Sequence, residues 1–509
     1  MNIPFSRTLL LPFALACAPF TAHAAEAPRC KYVSVGELPL RFVGQNFTPT
    51  IEGSVNGLPA TMLLDTGAER SAMTNPAVDR FQLNARITGR HAEGIGGLSR
   101  LYNVRVSEFG IGPIRSKALY LDVLGDTGAT PAFDAIVGAD FLFQADIEIS
   151  LAERAVRFFR PLDCNASSYL AYWTQEAVVV PLTGNFGRSK NNTVTVELNG
   201  VKFDAIIDTG ADRSVVFERA AGKAGVPPEH PSSRKAGSMT GIGSDIVQTR
   251  SAVFSSFAIG GETIRDAELL VLPDAGAIGP AGRRIDMLLG ADFLRSHRLL
   301  FAMSQRQLYI SYLGGDVFER DVHGIPVWLQ TEADRGNPDA LLALASRYSL
   351  GKQVPRDGAK AAALLEQAAA QEHRASMIAL ADLRTRERRH ADAASLYSRA
   401  LATGADDRRL WLLLYLARVR AGQQALGTTE LAQKLAANSS RAWPAPVAEF
   451  FLGRIDGATL LASAANDDGA AHSCDAQGWM ASAAAARGDL EGAKALGAER
   501  ARACQPGGR

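Results

Sequence analysis

Three landmarks occur twice in this chain, in the same order. Asn56-Gly57 followed by Met62-Leu63-Leu64-Asp65-Thr66-Gly67-Ala68 returns as Asn199-Gly200 followed by Ala205-Ile206-Ile207-Asp208-Thr209-Gly210-Ala211, 143 residues later. Gly94-Ile95-Gly96 returns as Gly241-Ile242-Gly243 at an offset of 147. Asp134-Ala135-Ile136-Val137-Gly138-Ala139-Asp140-Phe141-Leu142 returns as Asp286-Met287-Leu288-Leu289-Gly290-Ala291-Asp292-Phe293-Leu294 at 152. A conserved order with small insertions between landmarks marks a duplicated domain. Any fold proposed for one copy must therefore serve the other as well.

The signals inside each copy are those of β structure. The Asn-Gly pairs lie between alternating segments and predict tight hairpins. Val194 to Leu198 alternates at period two, and Met62-Leu63-Leu64 and Ala205-Ile206-Ile207 are short apolar runs suited to fully buried strands. Phe109-Gly110-Ile111-Gly112 and Ile259-Gly260-Gly261 read as further hairpins. Helix is confined to brief stretches such as Ala139 to Phe143.

From Asp334 the composition turns to Ala, Leu, Arg and Glu at helical spacing. Ala362-Ala363-Leu364-Leu365-Glu366-Gln367-Ala368 resembles Ala394-Ser395-Leu396-Tyr397-Ser398-Arg399-Ala400 at an offset of 32, a period typical of two-helix repeats. The expected division is a leader over 1–24, a first β domain over 25–165, a linker over 166–178, a second β domain over 179–315, a linker over 316–330 and helical repeats over 331–509. A chain of 509 residues has room for about three domains at roughly 150 residues each.

Charge and cysteine usage narrow the partners and the compartment. Lys+Arg 54 against Asp+Glu 53 leaves a formal charge of +1, without the basic footprint of a nucleic-acid or polybasic membrane-surface protein. No interior apolar run approaches the roughly 20 residues of a spanning helix. At the start, Arg7, the apolar stretch Leu9 to Phe20 and Ala22-His23-Ala24 read as a secretory leader cleaved near Ala24. The mature chain is then expected in the periplasm or outside the cell. Lipid anchoring through Cys17 fits less well, because Leu15 falls one position too late in Ala14-Leu15-Ala16. Loss of the leader leaves Cys30, Cys164, Cys474 and Cys504, an even set suited to an oxidising space. Cys30 with Cys164 and Cys474 with Cys504 are the natural local pairs, but three pairings are possible and the sequence does not choose among them.

Asp-Thr-Gly-Ala after a buried strand holds a carboxylate rigidly, and the glycine admits a tight turn that brings amide N–H groups to it. Once, such a tetrapeptide can be a mere turn. Twice, at equivalent places, it predicts that Asp65 and Asp208 meet where the copies pack about a pseudo-two-fold axis. Two carboxyls in hydrogen-bond reach share one proton and titrate as a pair. The ionised member can take a proton from water while the neutral one polarises a carbonyl.

These motifs resemble the retropepsin-like aspartic peptidases, the family of the retroviral proteases, over about Val33 to Tyr312. Asp65-Thr66-Gly67-Ala68 and Asp208-Thr209-Gly210-Ala211 match its active-site motif. Gly94-Ile95-Gly96-Gly97 and Gly241-Ile242-Gly243 match its flap tip, and Ile136-Val137-Gly138 and Leu288-Leu289-Gly290 its second motif. The resemblance implies two all-β domains forming a dimer within one chain, so that a monomer suffices. It implies Asp65 and Asp208 as catalytic residues and Thr66, Gly67, Thr209 and Gly210 as their support, with Thr66 and Thr209 bonded across the pseudo-dyad. It also implies glycine flaps closing over a polypeptide substrate, with no metal or cofactor.

The chain departs from the pattern in its second flap, which continues Ser244-Asp245, so a symmetric substrate preference is not implied. Glu69-Arg70 and Asp212-Arg213 read as exposed ion pairs on a turn, and Asp140 and Asp292 as caps or braces of a short helix. The eight histidines show no His-x-x-x-His or His-Glu-x-x-His spacing, which removes a zinc-peptidase reading. No Gly-x-Ser-x-Gly motif and no phosphate-cradling loop is present.

In the tail, Gly336-Asn337-Pro338-Asp339-Ala340 with Leu344, Tyr348, Gly351, Asp357, Lys360 and Ala368 resembles a Sel1-type repeat, a relative of the tetratricopeptide repeat. Trp411 to Arg420 and Gly488 to Ala493 resemble the latter more. Such repeats imply a surface for a protein partner, with a helical buttress as the plain alternative. The expected function is an exported aspartic endopeptidase acting in regulated processing. The alternative is a catalytically silent peptide-binding scaffold.

Overall fold

A computed structural model of the protein describes residues 30–112, 114–125, 131–173, 176–183, 192–274, 284–318, 324–404, 407–438, 440 and 442–504. The leader expected over 1–24, and Cys17 within it, lie outside the described residues.

The first copy runs β1 (Lys31–Pro39), β2 (Arg41–Val43), β3 (Thr48–Val55), β4 (Leu58–Leu64), β5 (Ala72–Thr74), α1 (Asn75–Arg80), β6 (Arg86–Gly94), β7 (Gly97–Ile111) and β8 (Ile114–Leu124). It closes with β9 (Ala135–Val137), α2 (Ala139–Leu142), β10 (Asp146–Ser150) and β11 (Ala155–Leu162). The second runs β12 (Val178–Pro181), β13 (Thr193–Leu198), β14 (Val201–Ile207), β15 (Val215–Phe217), α3 (Glu218–Lys223), β16 (Arg234–Met239) and β17 (Val247–Ile259). Then follow β18 (Glu262–Leu272), β19 (Met287–Leu289), α4 (Ala291–Leu294), β20 (His297–Ala302) and β21 (Gln307–Tyr312).

Both copies build one sheet by one rule. The first has the order β2-β3-β4-β9-β5-β8-β7-β6, and the second β13-β14-β19-β15-β18-β17-β16. The Asn-Gly turns behave as expected: Asn56 and Gly57, and Asn199 and Gly200, all have positive φ, as a two-residue hairpin turn requires. β4 pairs parallel with β9, and β14 with β19. A parallel strand at the centre of a sheet is covered on both faces, which is why Met62 and Leu64, and Ala205 and Ile207, read as apolar runs and are buried.

A third sheet, in the order β1-β11-β10-β20-β21-β12, takes strands from both copies. Its seam is the antiparallel pairing of β10 with β20, Ile147 opposite Phe301 and Ile149 opposite Leu299, all four buried. The copies thus share backbone hydrogen bonds as well as an apolar interface. Within residues 166–178, expected as a linker, the described stretch 166–173 lays aromatic side chains on this sheet. Tyr169 stacks edge-on to Tyr309, and the Trp173 indole donates to Ser311 Oγ at 2.7 Å. Leu170 and Ala171 are buried with Phe159 and Leu300. The apolar face of the shared sheet needs a cover, and this segment supplies it.

The helical region holds ten helices among the described residues. They are α5 (Val327–Asp334), α6 (Pro338–Leu350), α7 (Gly358–Ala369), α8 (Arg374–Arg386), α9 (His390–Ala402), α10 (Arg408–Arg420), α11 (Gln424–Ala437), α12 (Ala445–Phe451), α13 (Gly457–Ala486) and α14 (Leu490–Ala503). The residues repeated at an offset of 32 fall on α7 and α9. Helix starts are set by side chains: Asn337 and Asp407 each accept two backbone N–H groups, and Asp357 and Asp456 one each.

The described ends of the second expected linker, 316–330, also pack onto the fold. Phe318 is buried against Phe257 and Phe293, and α5 begins at Val327. Leu329, Ala333, Leu341 and Leu344 join the same apolar core as the β copies. Polar contacts weld the joint: Gly44 N donates to Asp339 Oδ2 at 2.8 Å and Asn337 Nδ2 to Phe42 O at 3.2 Å. Disulfides join Cys30 to Cys164 and Cys474 to Cys504. Cys474 lies within α13, and Cys504 caps the C-terminal end of α14. No helix among the described residues is long and apolar enough to cross a membrane.

Candidate active site

Each Asp-Thr-Gly follows a buried strand, β4 or β14, directly. The Asp65 N–H donates to Val137 O at 3.1 Å and the Asp208 N–H to Leu289 O at 2.8 Å, so the strand end is pinned to its parallel neighbour. Past the neighbour's glycine, Ala139 N donates to Ala68 O and Ala291 N to Ala211 O, which closes the loop. A Cβ on Gly138 would stand 2.7 Å from the Arg70 carbonyl carbon, and one on Gly290 2.6 Å from that of Arg213. Glycine is needed there for close backbone approach.

Across the seam, Thr66 and Thr209 interlock. Thr66 N donates to Thr209 Oγ1 at 3.0 Å and Thr209 N to Thr66 Oγ1 at 3.1 Å. The hydroxyls in turn donate to Ile207 O at 2.7 Å and Leu64 O at 2.6 Å. Both threonines are buried. Four bonds in a dry setting fix the two strand ends relative to one another.

The carboxyls meet in this frame. Asp65 Oδ1 accepts from Gly67 N and Ala68 N, both at 2.9 Å. Asp208 Oδ1 accepts from Gly210 N at 2.9 Å and Ala211 N at 3.2 Å. The glycines serve a purpose other than the tight turn expected of them. A Cβ on Gly67 would overlap the Asp208 carboxyl group, and one on Gly210 would stand 2.7 Å from Asp65 Cγ. Each glycine makes room for the other copy's aspartate.

Burial raises both carboxyl pKa values, since the charged form loses water. For Asp65 the effect is partly offset by the N–H groups of Ala68 and Gly67. Asp208 is held well above the usual carboxylate range, by burial first and by the neighbouring Asp65 charge second. The two carboxyls share one proton and titrate as a pair.

Above the pair, the two glycine turns touch. Gly96 and Gly243 form a parallel bridge, and Asp245 N donates to Gly96 O at 2.9 Å. Gly94 and Gly241 abut Ile242 and Ile95, and Gly97 has positive φ beside Asp245. Ile95 packs against apolar residues of the second copy, and Ile242 against those of the first. All seven flap residues lie at this junction or on the strands entering it.

The acids flanking the motifs differ from expectation. Arg70 pairs with Asp122 at 3.3 Å, not with Glu69, and Arg213 with Asp292 at 3.4 Å. Asp212 is not exposed: burial raises its pKa against the pull of Arg213 and Arg295. Asp140 and Asp292 make no helix-cap bond. Asp140 Oδ1 accepts from Ser71 N and Oγ, whose hydroxyl accepts from Gly138 N. Asp292, Ser214 and Gly290 repeat the arrangement. These triads brace the loops that carry the aspartates.

Sequence reasoning missed Ser71, Ser214 and Asn192. The Asn192 side-chain amide donates to Thr66 O at 2.9 Å and also to Ile207 O, bridging the copies beneath the pair. Ser71 and Ser214 recur at the offset of 143 and could have been found that way. Asn192 has Pro49 at that offset, so the duplication gave no signal. Among the described residues no cluster of three or more His, Cys, Asp or Glu side chains is placed to hold a metal ion.

Comparison with known proteins follows the same division. A search of curated proteins finds no match to this chain. Among solved structures, the chain is similar to the crystal structure of aspartic proteinase from Irpex lacteus at 12% identity, over 54% of this chain and 97% of that one, with a TM-score of 0.36. Residues 51–141 and 194–293 match the sequence model of the family described as aspartyl protease. The two β-rich copies thus carry the aspartyl protease pattern twice in one chain.

Proposed function

We propose that this protein is an aspartic endopeptidase whose single site is assembled from both copies, with Asp65 and Asp208 as the catalytic residues. The observation that carries the reading is the meeting of two carboxyls from equivalent strand ends, each facing the other's glycine and braced by Thr66 and Thr209. A water between them gives a proton to the ionised carboxyl of the pair as its oxygen attacks the peptide carbonyl carbon. The protonated carboxyl donates to the carbonyl oxygen, giving a neutral gem-diol. Return of a proton to the amide nitrogen and loss of a diol proton to the pair then break the C–N bond. Gly94 to Gly97 and Gly241 to Gly243 close over the peptide and exclude water.

Export is part of the proposal. The leader motif over 1–24 and two disulfides in the structure support an oxidising compartment, periplasmic or extracellular. Regulated processing of polypeptides there, with the helices holding a protein partner, suits a protease with an added helical region. A silent scaffold is not favoured, because the carboxyl pair and its bracing are intact.

Incubation of the protein with a diverse peptide library, with cut sites read by mass spectrometry, tests the reading. Cleavage blocked by pepstatin is the expected result. Cleavage that pepstatin does not touch, or peptides left whole, would contradict it.

A further inference from the structure

The two walls of the cleft are not alike. Ile242 of the second flap packs with Leu63, Ala68, Ala72 and Ile136 of the first copy. Ile95 of the first flap packs with Ile206, Val215, Leu270 and Leu288 of the second. Ala72 and Val215 are equivalent, and so are their parallel partners, Asp122 and Leu270. Paired residues on neighbouring strands project to the same face. Asp122 therefore lies beside Ala72 on the cleft face, where the second copy has a leucine.

Asp122 is buried and holds two guanidiniums. Arg70 reaches it at 3.3 Å from the loop after the Asp-Thr-Gly motif. Arg90 reaches both of its oxygens from β6, an arm of the first flap. The Arg70 and Arg90 side chains are 65% and 51% exposed, so each keeps donors facing solvent. Among the described residues the two arginines ion-pair with Asp122 alone, and neither pairs with the exposed Glu69. One carboxylate under two guanidiniums leaves this three-residue cluster with a net positive charge. Across the cleft, Leu270, Met239 and Val247 make the matching position apolar.

Resting on the peptidase reading above, we propose that the Arg70–Asp122–Arg90 cluster recognises an acidic side chain of the substrate, while the opposite wall takes an apolar one. Guanidinium forks bind carboxylates through paired charge-assisted bonds, and Asp122 orients both forks before substrate arrives. The substrates are then polypeptide segments with Asp or Glu on one side of the scissile bond and an apolar residue on the other.

The test uses peptide pairs that differ only by Glu or Gln near the scissile bond, tried on each side, with the full protein, Arg70→Gln and Arg90→Gln. The readout is the Glu-to-Gln ratio of kcat/KM, which is independent of how much of a variant is folded. The protein is expected to favour Glu about tenfold or more on one side only, as one charge-assisted bond allows. Either variant should reduce that ratio to within about threefold, and added salt should weaken it in the parent. No preference for Glu on either side, or a preference that both variants keep, overturns the proposal. If no peptide is cut, the peptidase reading fails, and binding of the same pairs to the protein by fluorescence anisotropy decides this one separately: tighter binding of Glu supports the cluster, and equal binding sinks it.

Discussion

Asp65 and Asp208 hold equivalent places in the two copies and titrate as one pair. Burial raises both above the usual carboxylate value near 3.8, and the charge on Asp65 adds to the effect at Asp208. Two consequences follow at this scale. Peptide cleavage needs one proton on the pair, so activity should persist above the ordinary carboxylate range and fall as pH rises through the upper pKa of the pair. A kcat/KM profile against pH checks this. For stability, a carboxyl with a raised folded pKa stabilises the fold below its unfolded pKa, and that contribution is lost as pH rises through the folded value. Asp208→Asn removes the loss, so the variant should melt higher than the parent at neutral pH and gain less at pH 3, by thermal unfolding. The aspartates were legible because they are duplicated. Asn192, buried in the same joint, was not, since its value depends on two carbonyls that only the assembled copies bring together.

Among the elements, the flaps combine a legible sequence with an illegible partner. Glycines at 94, 96, 97, 241 and 243 announce a turn, but which surface each turn meets is set by the packing of the copies. The structure shows tip against tip, with Gly243 in positive φ and a Cβ there overlapping Gly96 O. Gly243→Ala should hold the flaps apart, raising KM about tenfold or more, while the melting temperature moves little because Gly243 itself meets only the backbone of Gly96 and Gly97. Steady-state kinetics beside a melt separate these outcomes; an unchanged KM would show that the tips need not meet. That the linker expected between the copies would lay a strap on the shared sheet was illegible for the same reason. Tyr169, Tyr172 and Trp173 look like scattered aromatics until strands of both copies form the face they cover.

At the scale of the whole molecule, the helices are continuous with the β core. The change of composition near residue 330 revealed them, and their spacing gave the pairs, but not the fusion. That comes from Leu329, Leu341 and Leu344 packing into the core that also holds Phe42 and Phe47. Leu341→Ala should cost about 2–5 kcal/mol. If the β copies and α5–α6 unfold as one unit, the cost should appear in the loss of peptidase activity on heating as well as in the loss of helix. Helix lost at lower temperature with activity untouched would show two independent units.

The central claim is that two copies build one site, and cleavage of one good peptide by the parent, Asp65→Asn and Asp208→Asn tests it most directly. Each variant should lose about a thousandfold or more in kcat/KM, on the scale of a lost acid or base partner, while staying folded. A mixture of the two variants should recover nothing, because both carboxyls must stand in one chain. Substantial cleavage by either variant alone would contradict a site shared between the copies.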